Sequence, residues 1–140
     1  MNYTRIALAA LGAFVAYFVL GGMTFAITSF KEEFRKYPAV YRSQEGIKQV
    51  MPAGMVAIFV GMVVLAVLYS MVYRGGSGLL EGAQFGALIG VFAICAFVIH
   101  NYVNLNIGSK LTVQQSVMYF IEWVVTGIVI GLIYRPPAPR

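Results

Sequence analysis

Between Arg5 and Lys31 the chain runs for 25 residues, Ile6 to Phe30, without a charged side chain. As an α-helix that run is about 37 Å long at 1.5 Å per residue, more than the roughly 30 Å of a bilayer's hydrocarbon core. A secretory signal peptide carries an apolar core of only about 7–15 residues. The run therefore reads as a membrane span rather than a leader. Three further apolar runs follow, and the spans are expected at about 6–30, 52–73, 79–103 and 113–134. Composition agrees: 60% of residues are hydrophobic and 11% charged, against roughly 45–50% and 25% in soluble domains. A soluble chain this apolar could not cover its surface with polar groups.

The sequence thus predicts an all-α polytopic membrane protein, one transmembrane domain over 1–140 built as a four-helix bundle. The expected location is integral to a membrane, the inner (cytoplasmic) membrane of a bacterium. Four crossings put both termini on one side. Lys and Arg number four on that side (Arg5, Arg74, Arg135, Arg140) and six on the other (Lys31, Arg35, Lys36, Arg42, Lys48, Lys110). The positive-inside rule then favours a cytoplasmic 31–51 connection. The general expectation that small four-span proteins keep their termini inside opposes it, so orientation is left open.

The connection 31–51 holds eight of the fifteen formal charges. Phe34, Tyr37 and Tyr41 share one side of a helix, and Pro38 interrupts it. The segment is expected as short amphipathic pieces at the headgroup surface with Gly46 as a joint, or as a charged loop. Pro52 is expected in the first turn of the second span, where its missing N–H costs nothing. Gly75, Gly76 and Gly78 mark a tight turn to the third span, whose wholly apolar part is Phe85–Ile99. Thr112 and Gln115 have capping-box spacing, which would start the fourth helix there. The proline-rich end, Pro136–Arg140, reads as an extended tail.

Gly82, Gly86 and Gly90 repeat every four residues, as do Gly127 and Gly131. Such spacing lets helix backbones approach closely and serves association within or between chains. A homo-oligomer or a larger membrane complex is a corresponding expectation, with membrane lipids as the other partner. The net charge of +5 comes from basic residues at the ends of the runs. That suits anionic headgroups, and no nucleic-acid partner is expected.

Glu122 stands inside the fourth run, past one turn from Val117 but short of the midplane. A charge at hydrocarbon depth costs roughly 2.5–3.5 kcal/mol or more, so the group must be neutral, paired or facing a wet cavity. Gln115, Glu122 and Thr126 fall on one face. His100, the only histidine, lies in line with Gly82, Gly86 and Gly90, with Asn101 beside it and Asn104 one turn on. Antiparallel packing of the last two spans would bring His100, Asn101 and Asn104 near Gln114, Gln115 and Glu122. That cluster is the candidate site: a proton relay or ligand contact, or else a polar plug that fixes packing.

One histidine and one cysteine, Cys95, fall short of the three or four ligands zinc asks for, so no metal or cofactor is expected. The chain has no aspartate and no G-x-S-x-G elbow, so no catalytic residue is named. The leading expectation is an accessory, scaffold or assembly subunit packing through its glycine faces. The alternatives are a small oligomeric carrier or channel using Glu122 and His100, and a membrane-embedded cofactor protein or enzyme.

Overall fold

The computed structural model describes residues 2–27 and 30–135. The tail Pro136–Arg140 lies outside the described residues. Among the described residues six α-helices follow in order: α1 (Tyr3–Ile27), α2 (Phe30–Arg35), α3 (Gln44–Val72), α4 (Gly78–Ala93), α5 (His100–Asn104) and α6 (Ser109–Tyr134). A π-helical segment, Ile94–Ile99, joins α4 to α5 in one continuous rod. Four helical stretches are long and apolar enough to cross a membrane: Tyr3–Ala26, Gln44–Val72, Gly78–Asn104 and Ser109–Tyr134. The fold is a four-helix transmembrane bundle. Its outer faces are apolar, with Leu88, Phe92, Met71 and Val103 all exposed. Such surfaces are stable against lipid and not against water.

α6 is the hub. It packs most extensively on α4, next on α1, and more lightly on α3 and α2. Against α4 the glycines do the work. A Cβ on Gly78 or Gly82 would run into the carbonyl oxygen of Gly131 or Gly127, and one on Gly86 into that of Trp123. At Gly90 it would meet Phe120 Cδ2 at 3.2 Å. The pairing descends one helix as it climbs the other, so α4 and α6 are antiparallel neighbours in backbone contact. Such proximity maximises dispersion where lipid provides no hydrophobic drive between helices. Gly78, expected in the turn, is the first member of this series.

α1 fits between α3 and α6 for the same reason. Ala9, Ala10 and Ala13 are fully buried and pack with Met62, Ala66 and Tyr69 of α3 and with Ile130 and Tyr134 of α6. At one end of the bundle an Arg5 Nη1 donates to the carbonyl of Tyr134 at 3.3 Å, closing the last turn of α6. At that end too, Glu81 accepts from the backbone N–H of Arg74 (2.9 Å) and Gly76 (2.8 Å). It thereby holds the turn in which Gly75 takes a φ of 89°.

The starts of α3 and α6 differ from expectation. α3 begins at Gln44, so Pro52 lies in the helix interior and Gly46 is no joint. Ser43 caps the helix, its Oγ accepting from Gly46 N at 3.2 Å, and Glu45 complements the positive end of the helix dipole. α6 begins at Ser109, one turn before Thr112. The Thr112 hydroxyl points back and donates to the Gly108 carbonyl at 3.2 Å, so no capping box forms. In the 31–51 connection, α2 is a six-residue helix and Pro38 falls in the turns beyond it.

Candidate functional site

α2 and the turns after it are docked on the first turns of α6. Phe30, Ile107 and Leu111 form a buried cluster flanked by Phe34, Tyr37, Val40, Tyr41 and Met118. Two polar contacts fix it. Gly108 N donates to Tyr37 Oη at 2.9 Å, and Glu33 receives both Lys36 (2.9 Å) and Lys110 (3.2 Å). The Lys36 hydrogen bond, helped by Lys110, holds the Glu33 carboxyl below its usual value of 4.5, and Lys36 is raised in turn.

Beneath this cap, between α1 and α6, lies a cavity of about 210 Å³. Its walls are aromatic: Tyr17 and Phe25 from α1, Phe30 and Phe34 from α2, and Tyr119 from α6. Gln115 and Glu122 supply its polar groups. Gly21 makes the room, since a Cβ there would stand 3.2 Å from Glu122 Oε1.

Glu122 is 6% exposed and is the fourteenth of the 26 residues of α6. It is thus at the middle of the helix, deeper than the expected helix start implied. Among the described residues its carboxyl makes no hydrogen bond or ion pair. Next to it on α6, Trp123 Nε1 and Thr126 Oγ1 are buried and have no hydrogen-bond partner among the described residues. Gln115 Nε2 donates to Tyr41 Oη at a long 3.5 Å.

The structure brings Gln115 and Glu122 to one cavity. His100, Asn101 and Asn104 are exposed and do not line it, and Asn104 Nδ2 bonds locally to the His100 carbonyl at 2.9 Å. Gln114 is half-buried and is not part of the lining. The π-helical segment is the reason for His100. The buried stripe steps by three or four through Gly82, Gly86, Gly90 and Ala93, then by five to Val98. An i→i+5 turn carries one more residue than an α-turn and rotates everything beyond it. His100 therefore leaves the face that Gly90 occupies.

Sequence reasoning missed Tyr17 and Gly21 in α1 and Tyr119 in α6. A signal existed in each case. Tyr17 and Gly21 are one turn apart in a span otherwise lacking large polar groups, and Tyr119 shares a face with Glu122 three residues on. Among the described residues no group of three or more His, Cys, Asp or Glu could hold a metal ion. Compared with protein-family models, curated proteins and solved structures, the chain matches none.

Proposed function

We propose that this small all-helical membrane protein is a carrier that takes a small apolar cation at Glu122 in exchange for a proton. The observation that carries the reading is a buried, mid-helix carboxyl with no partner among the described residues, facing an aromatic-walled cavity. An ionised carboxylate at such depth needs compensating charge. A proton or an organic cation can supply it. The rings of Tyr17, Phe25, Phe30, Phe34 and Tyr119 add cation–π attraction, for which an alkylammonium is the typical ligand. A hydrated metal ion fits less well. The lining is mostly aromatic carbon, and few of its oxygens could replace a water shell.

Trp123, the only tryptophan, makes the test direct. It adjoins Glu122, and its ring centroid is 5.6 Å from that of Tyr17. Tetramethylammonium added to the detergent-solubilised protein should change Trp123 fluorescence and release protons. Glu122→Gln should abolish the proton release and weaken binding roughly tenfold, the loss of one charge-assisted contact. Unchanged affinity in the variant would refute the reading.

One observation favours a second reading, an accessory or scaffold subunit. The glycines of α4 and α6 are consumed within the chain, but α3 leaves another small face open. Gly54 and Gly61 have no atom within 4 Å of a Cβ built on them, and Ala57 lies between them, exposed. A smaller particle in native membranes for Gly61→Leu would support association through α3, and an unchanged particle would remove it.

A further inference from the structure

A second, larger hollow of about 710 Å³ lies outside the cap, between α2, the turns that follow it and the first turns of α3. Its rim is basic. Lys31, Arg35 and Arg42 line it with one acid, Glu45. None of these three cations makes an ion pair or hydrogen bond among the described residues, whereas Lys36 and Lys110 are both engaged by Glu33. The hollow's inner wall is apolar, formed by Phe25 near the end of α1, Phe34 of α2 and Ile47 in the early turns of α3. α1 ends at Ile27 and α3 starts at Gln44, so the hollow sits where two spans leave the hydrocarbon.

We propose that this hollow is a binding site for an anionic phospholipid. Its phosphate meets Lys31, Arg35 and Arg42, and its chains lie on Phe25, Ile47 and the exposed Val50 and Met51 beyond. Three unpaired cations on an acyl-chain-sized apolar wall complement that molecule in both charge and polarity. A zwitterionic lipid lacks the net charge, and free phosphate makes no use of the wall. A soluble acidic partner would likewise leave Phe25 and Ile47 unmatched. The positive rim also repels a cation, so the hollow is no vestibule for the Glu122 cavity, from which Phe25 and Phe34 divide it as lining shared by both. The lipid site stands or falls independently of the carrier.

The test is native mass spectrometry of the full chain extracted from bilayers of equal phosphatidylglycerol and phosphatidylcholine. The expected result is retained phosphatidylglycerol on the parent protein and on an Arg74→Gln/Arg135→Gln control altered at the opposite end. Each interfacial cation contributes roughly fivefold to anionic-lipid affinity, so Lys31→Gln/Arg35→Gln/Arg42→Gln should lose on the order of a hundredfold. Should the triple variant fail to insert, Arg42→Gln alone carries the same test with a roughly fivefold loss. Equal retention by these variants, equal retention of phosphatidylcholine, an equal loss in the control, or displacement of the lipid by excess inorganic phosphate would each overturn the proposal.

Discussion

Gly82 and Gly127 lie back to back, each standing where a Cβ would strike the other's carbonyl oxygen. Backbone meets backbone there, so neither helix can yield by turning a side chain aside.

Substitution on this seam is accordingly expected to be severe. A Cβ on Gly86 would sit 2.9 Å from Val124 Cα and 3.0 Å from Trp123 C. Gly86→Leu should destabilise the bundle by about 3 kcal/mol, the upper range for overpacking. Gly61→Leu, which meets nothing, should stay within about 0.5 kcal/mol. Unfolding of both variants in the same detergent measures the contrast, and equal stabilities would contradict the seam.

Space before Glu122 depends on Gly21. Gly21→Val would fill that space with a branched side chain while leaving α1 apolar. Helical content should be unchanged and the Trp123 response to tetramethylammonium lost. A response of full amplitude in the variant would mean that ligand binds elsewhere.

The cap should loosen in acid. Glu33 has a depressed folded-state pKa, so its contribution is fully present above the unfolded value of 4.5. It disappears as pH falls through the lower folded value. The stability difference between the parent protein and Glu33→Gln should therefore hold steady at neutral pH and vanish at a pH below 4.5. A difference that persists unchanged into strong acid would show that the ion pairs with Lys36 and Lys110 do not hold α2.

Tyr37→Phe removes the acceptor of the Gly108 N–H and nothing else from the cap. The expected loss is about 1 kcal/mol, typical of one such hydrogen bond. Amide exchange at Gly108 should quicken in step, and unaltered protection there would assign the docking to apolar contact alone.

The four spans and the glycine faces were legible because lipid imposes length and small-residue spacing on the sequence itself. Glu122 was legible for a similar reason, as an acid where hydrocarbon admits few. His100 misled because its place on the glycine face assumes unbroken α-helical spacing, and nothing in Ile94–Ile99 announces an i→i+5 turn. Pro52 misled because proline favours a first turn. Ser43 with Glu45 two residues on was the stronger start signal and outweighed it. The cavity itself needed tertiary contact, since its lining is assembled from α1, α2 and α6.

That α6 is the hub also fixes when the molecule can come together. It is the last of the four spans to leave the ribosome, and α4 makes its main contact with it alone. Until then α4 is tied to the end of α3 through Glu81 and the Tyr69–Phe85 ring contact, while its notched glycine flank has no helix against it. The backbone seam can therefore close only after the fourth span has entered the membrane.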